Sequence, residues 1–274
     1  GIRVSNPGPD VSPGWRTGGG GSHPWLRGAL GRVTLVGEEV TFRSDVTVEL
    51  VRGAASDADV LWAARVSTKG EQSLEDVDSD ATRSAGLINY LMRDRHGTPF
   101  EHNSMTFFIS APIFVFREFM RHRIASYNEE SGRYRELRPV FYVPGPERRL
   151  VQQGKPGAYV FVDGTPEQYE LTVAATKASC QAAYDAYQQM LAAGVAREVA
   201  RGVLPVATYS SMYVTMNARA LMNFLSLRTK REDSTFPSFP QREIEMVAEQ
   251  METFWAELMP LTYESFNLNG RVSP

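Results

Sequence analysis

The chain has 274 residues, enough to bury a core as one large domain or two modest ones. Its net charge of −3 and pI near 5.9 lack the basic excess of a general nucleic-acid binder, and no apolar run approaches the roughly 20 residues that a membrane span requires. The single cysteine, Cys180, excludes an internal disulfide framework and fits a reducing, cytoplasmic setting, and no basic stretch followed by an apolar core marks a secretory signal.

In chain order, residues 1–44 read as an N-terminal arm. Residues 1–30 are rich in glycine, proline and serine, a composition that cannot pack a core, and Gly18 to Gly21 run together. Residues 31–52 alternate and are β-branched, which predicts strands. A short helix follows from Asp57 to about Val66, then a longer one from Asp80 to about Arg95, closed near Gly97. Met105 to Ser110 reads as a strand, and Pro112 opens an apolar helix, Ile113 to about Arg121. Thr165-Pro166-Glu167-Gln168 combines an N-cap, a proline at the first helical position and a capping-box glutamine. The helix it starts runs to about Ala193, stopped by Gly194.

Val173, Cys180, Tyr184, Tyr187 and Leu191 form an apolar stripe on that helix, which assigns the thiol a packing role. A shorter helix from Ala196 to Leu204 stops at Pro205. Thr208 to Met216 reads as a strand, Asn217 to Arg228 as a helix, and Gln241 to Met259 as a final amphipathic helix with Ile244, Val247, Met251 and Leu258 inward. The sum is a single α+β domain over residues 45–274, with a mixed or antiparallel sheet packed against long helices.

The segment from Arg121 to Tyr134 carries the densest chemistry. Its fourteen residues hold three arginines, a histidine, two acids, an amide and two serine hydroxyls. Guanidinium forks suit phosphate and carbonyl oxygens, and amides and hydroxyls suit ring edges, so the mixture fits a planar phosphorylated ligand. Glu118, Glu129, Glu130 and Glu136 interleave the arginines and favour one small anion over a polyphosphate track. A cationic helix terminus accounts for one or two of the basic residues but not for Ser126, Asn128 and Ser131.

Further along, Asn217 and Arg228 project to nearly the same angle of one helix, and Arg219 and Asn223 to roughly the opposite side. Such a helix fits a position between two ligands or at a subunit boundary. Arg197 and Arg201, one turn apart, read on their own as a solvated face. The four histidines lack the spacing of a zinc site, so no metal is expected. No strand–GxGxxG–helix unit is present, which excludes a Rossmann-type flavin or nucleotide site.

The spelling RHR-x2-S-x-N-x2-S-x-RY over Arg121–Tyr134 resembles the signature of the flavin-dependent thymidylate synthases, with all eight of its fixed positions met. Ala63 to Ser67, His96 to His102, Arg197 to Pro205 and Asn217 to Arg228 resemble segments of the same family, so the likeness spans residues 45–268. The resemblance implies reductive methylation of dUMP to dTMP, with methylenetetrahydrofolate as one-carbon donor and NADPH reducing FAD. It also implies a homotetramer with active sites shared between subunits.

Carried over by motif, Ser67, His96, Thr98, Arg121, His122, Arg123, Glu129, Asn217, Arg219 and Asn223 are expected at FAD. Glu118, Arg121, Glu129, Glu130, Ser131, Gly132, Arg133, Arg201 and Arg228 are expected at the nucleotide. Arg133 and Arg201 suit the phosphate. Arg228 suits the uracil O2/N3 edge, where positive charge makes C5 more nucleophilic, and Ser131 reads as a positioning hydroxyl rather than an attacking group. Residue 118 is glutamate where some relatives carry glutamine, and a carboxylate accepts readily from a ribose diol. UMP therefore stands as the alternative substrate. A non-catalytic RNA-binding role is the remaining alternative, and the acidic balance counts against it.

Overall fold

The structure, a computed structural model, describes residues 39–70, 81–155 and 158–274. The strand expected around Gly31–Gly37 lies outside them. In order, the described elements are β1 (Thr41–Arg43), β2 (Thr47–Ala54), α1 (Asp57–Lys69), α2 (Ala81–Arg93), β3 (Ser104–Pro112), α3 (Ile113–Phe119) and β4 (Ser126–Glu129). There follow β5 (Val140–Tyr142), β6 (Val151–Lys155), β7 (Ala158–Val162), α4 (Pro166–Ala192), α5 (Arg197–Ala200), β8 (Tyr209–Met216), α6 (Ala218–Arg228), α7 (Arg242–Leu258) and α8 (Pro260–Leu268).

The main sheet runs β2-β3-β8-β4 and is antiparallel throughout. Its period-two alternation turns Met105, Phe107, Ile109, Met212, Val214 and Met216 to one face, where they are buried. That face packs on α7, whose Ile244, Val247, Ala248, Met251 and Trp255 are wholly buried; each large apolar side chain contributes roughly 1.5–3 kcal/mol. The N-terminal stretch contributes β1, which pairs in parallel with β5.

The capping box at Thr165 forms as read, with the Thr165 hydroxyl accepting from the Gln168 N–H and the Gln168 side chain accepting from the Thr165 N–H. Gly194 takes φ +82°, the left-handed turn that ends α4. Cys180 is buried with Phe141, Tyr184, Tyr187 and Ala200 in a second apolar cluster, and burial pushes its thiol up from the usual range.

Four expectations are corrected. The helix opened at Pro112 ends at Phe119, so the Arg121-His122-Arg123 triplet lies in the turn beyond it. The helix read over 196–204 is a single α turn continued as a 3-10 turn, Arg201–Val203. α7 is not the last helix, because Pro260 starts α8 as readily as it stops α7. The strand β4 and the hairpin β6–β7 were not expected: β4 and β6 are polar strands of four and five residues with little hydrophobic periodicity, and β7, though apolar, is a strand only by pairing with β6.

Candidate functional site

The Arg121–Tyr134 segment leaves α3 by a tight turn and returns as the edge strand β4. The Tyr127 hydroxyl donates to both Phe119 O (2.9 Å) and His122 O (2.6 Å), which fixes the turn carrying the basic triplet. Burial pushes that phenol up to about 12, so it stays a donor at neutral pH. Strand β4 then pairs with β8, Ser126 opposite Thr215 and Glu129 opposite Met212.

Beside this turn lies a cavity of about 660 Å³, within the usual range of small-molecule sites. Arg121, His122 and Arg123 line it from the turn, and Asn217, Arg219, Asn223 and Arg228 from α6. The two opposed sides read on that helix therefore meet one cavity, not two. Asn217 is the N-cap, outside the helical repeat, with its side-chain oxygen accepting from the Ala220 N–H at 2.9 Å. Arg228 reaches out from the last turn.

The Arg228 guanidinium is held on two sides. Its Nη1 donates to Glu118 Oε2 at 2.7 Å, and its Nε donates to His122 Nε2 at 3.0 Å. A ring nitrogen that accepts is unprotonated, and burial with the adjacent cation drives the His122 pKa down to about 4. The ring meets Phe224 edge-on at 4.9 Å. Burial pushes the Glu118 carboxyl up, opposed by Arg228 and reinforced by Glu243.

Arg219 is oriented from elsewhere: its Nη1 donates to Glu101 and its Nε to Pro274 O, both at 2.6 Å. Gly97 makes room for it, because a methyl group there would sit 2.5 Å from Arg219 Cζ. The Ser273 hydroxyl donates to Arg219 O, and Arg95 donates to Ser273 O. Glu101, Ser273 and Pro274 line the cavity but were not singled out as site residues. No local sequence signal marks the last two, since they arrive from 55 residues away.

The remaining signature residues form a second group at the far end of β4. Burial raises the Glu129 carboxyl, Glu130 adds to the rise, and a Ser210 hydrogen bond and Arg201 oppose it. Glu130 accepts from the Ser211 hydroxyl at 3.1 Å and pairs with Arg135 at 3.0 Å. Ser131 Oγ accepts from the Arg133 N–H at 3.3 Å, a turn contact rather than contact with a base. Gly132 is buried against Arg201, whose Cδ would lie 3.2 Å from an added methyl, and Arg133 donates to Glu198 at 2.8 Å.

Neither Arg133 nor Arg201 lines the cavity around Arg228. The three steps from Ser126 to Glu129 put the two groups about 10 Å apart along the strand. Ser67, His96 and Thr98 are exposed and stand outside the lining, on the last turn of α1 and around the 3-10 turn Thr98–Glu101. Gly97, between His96 and Thr98, is the residue that abuts Arg219. Among the described residues no cluster of three or more His, Cys, Asp or Glu is arranged to hold a metal, and no helix is long and apolar enough to cross a membrane.

Residues 49–261 match the family model described as thymidylate synthase complementing protein. The chain is 72% identical over 235 residues to a flavin-dependent thymidylate synthase of Streptomyces avermitilis, covering 85% of this chain and 96% of that protein. It is 60% identical over 233 residues to the enzyme of the same name from Tropheryma whipplei, covering 85% and 97%. Among solved structures it resembles a UMP/dUMP methylase PolB from Streptomyces cacaoi. The form bound with 5-Br UMP superposes with TM-score 0.80 at 56% identity, covering 86% of this chain and 99% of that one. The form bound with 5-Br dUMP gives 0.81 at 57% identity, covering 86% and 100%. With the signature intact and most of each relative's length matched, the chain belongs to the flavin-dependent thymidylate synthases, and it is an enzyme of that family.

Proposed function

We propose that this enzyme converts dUMP to dTMP in the cytoplasm, taking the one-carbon unit from methylenetetrahydrofolate and electrons from NADPH by way of FAD. The observation that carries the reading is the single cavity in which Arg121, His122, Arg123, Asn217, Arg219, Asn223 and Arg228 converge. Its donor set fits a flavin dinucleotide. Four arginines suit the pyrophosphate and ring carbonyls, two amides suit ring edges, and the missing side chain at Gly97 lets Arg219 lie close to the backbone. Ser67, His96, Thr98 and Glu129 complete the flavin set in this reading. Bound there, FAD supplies the hydride that reduces the transferred carbon.

Glu118 and His122 hold Arg228 rigid and charged, so its guanidinium stabilises negative charge at the uracil O2/N3 edge without reorganising. Arg133 and Arg201 take the 5′-phosphate, and Glu129, Glu130, Ser131 and Gly132 position the nucleotide. Within one chain about 10 Å of strand β4 lies between these groups, and in this reading copies of the chain share the site. A homotetramer with active sites built between copies is part of this reading.

The test is incubation of flavin-loaded enzyme with NADPH, methylenetetrahydrofolate and dUMP, with dTMP measured. Absence of product with every component present overturns the proposal. UMP is the second reading, favoured by the Glu118 carboxylate beside Arg228 and by the relative bound with both bromouracil nucleotides. Competing UMP against dUMP decides it, and a strong preference for dUMP removes it.

A further inference from the structure

Arg219 is held from two sides, and the two sides are fastened to each other. One is the loop from Arg95 to Glu101, where Gly97 lies flat against the guanidinium and Glu101 accepts from Nη1 at 2.6 Å. The other is the stretch from Gly270 to Pro274. It leaves α8 through two successive left-handed residues, Gly270 at φ +69° and Arg271 at φ +58°. Pro274 O then accepts from Arg219 Nε at 2.6 Å, and the Ser273 hydroxyl donates to Arg219 O at 3.0 Å. Arg95 joins loop and stretch, its Nη1 donating to Ser273 O at 2.7 Å across 178 positions of chain.

Among the described residues Arg219 Nη2 has no hydrogen-bond partner, so with Nε and Nη1 engaged it is the part left for a ligand in the cavity that Arg219 lines. The Arg219 side chain is 43% exposed. A free arginine of that exposure loses rotamer freedom when it closes on a ligand, whereas one already fixed in its fork geometry loses little. An exposed arginine on a backbone carbonyl is often mere surface decoration. Here the carbonyl belongs to the residue whose hydroxyl binds Arg219 and whose successor binds it again. Residues 273 and 274 are thus pinned at both ends: by Arg95, and by buried Arg271, which donates to Thr229 Oγ1 at 2.9 Å and to Glu252 at 2.7 Å.

We propose that Arg95, Ser273 and Pro274 are positioning residues of the flavin site. Arg95 keeps residues 273 and 274 on Arg219, and they keep the guanidinium set for the anionic groups of the flavin dinucleotide. The inference rests on the reading of this cavity as the FAD site. It adds two segments far apart in sequence, neither of them in the signature, to what determines how long the enzyme keeps its flavin.

The experiment dilutes flavin-loaded enzyme into flavin-free buffer and follows the rise in flavin fluorescence as FAD leaves. Native enzyme is compared with Arg95→Gln, Arg95→Lys, a chain ending at Val272, and that shortened chain carrying Arg95→Gln. Arg95→Gln is expected to speed release about three- to tenfold, and the shortened chain about tenfold or more. Arg95→Lys keeps a cationic donor and stays within about threefold of native. In the shortened chain Arg95→Gln adds no more than about twofold, because the group it acts through is gone. A merely structural arginine would destabilise both chains alike. Native release from Arg95→Gln, equal release from the Lys and Gln variants, or effects that multiply in the combined chain overturn the proposal. Should the shortened chain fail to fold, the Arg95 pair decides alone. A native enzyme that retains no FAD overturns the reading of the cavity itself, a result distinct from variants that hold FAD as well as native.

Discussion

His122 offers the sharpest test of the electrostatics. Its ring accepts from Arg228 and is pushed down to about 4 from an ordinary 6.5 by burial and by that cation. The unfolded chain therefore binds more protons than the folded one between pH 6.5 and 4. The sign follows directly: stability from this group is full above about 6.5 and falls as pH drops toward 4. At about 1.4 kcal/mol per pH unit the full effect is roughly 3 kcal/mol, and solvent screening of a partly buried ring reduces it to about 1–2 kcal/mol.

The assay is urea denaturation at pH 7 and pH 4.5 for the native enzyme and His122→Gln, with the acid-induced loss smaller in the variant by about that 1–2 kcal/mol. Proton NMR supplies the direct reading. Among four histidines, the resonance missing in His122→Gln should titrate near 4 in the native chain and move upward in Arg228→Gln. A His122 resonance titrating at 6.5 in the native enzyme refutes the reasoning.

Other perturbations separate binding from stability. Gly97→Ala should push Arg219 aside and weaken flavin retention by about tenfold or more, read from bound flavin absorbance after gel filtration. Arg133→Gln and Arg201→Gln should each raise KM for the nucleotide by about 10- to 100-fold, the equivalent of about 1.5–3 kcal/mol for a charged hydrogen bond, with flavin content unchanged. Cys180→Ala should cost about 1 kcal/mol in urea denaturation and leave turnover within about twofold, because the thiol is packed among aromatic rings and touches no candidate site; collapse of turnover would make it a nucleophile. Glu252→Ala leaves buried Arg271 without its 2.7 Å counter-ion and should destabilise the fold by about 3–5 kcal/mol, measured the same way.

The elements legible in the chain were those whose signal is local. The capping box at Thr165, the left-handed stop at Gly194 and the alternation of Met105 to Ser110 depend on neighbours a few residues away, and each appears where the residues place it. The site was legible for the same reason in part. The triplet at Arg121–Arg123 and the helix residues Asn217, Arg219, Asn223 and Arg228 each carry a compact pattern, and folding brings them to one cavity.

What long-range packing decides was not legible. Ser273 and Pro274 reach Arg219 only through the path of α8, and the four residues of β4 form a strand because β8 offers them an edge. The separation of Arg133 and Arg201 from Arg228 likewise depends on which end of that edge each loop leaves.

Strand β4 has a consequence for how the signature tolerates change. Its residues alternate exposed and half-buried, so Tyr127 and Glu129 turn inward while Ser126 and Asn128 turn out. Replacing one of them alters only that residue's own contacts. Deleting or inserting one between Tyr127 and Glu129 would swap the inward and outward sets, withdrawing the tyrosine from the carbonyls it ties down and reversing every chemical group beyond it. The spacing of this motif is thus under tighter constraint than its lettering, and libraries built on this enzyme should vary identities there while keeping length constant.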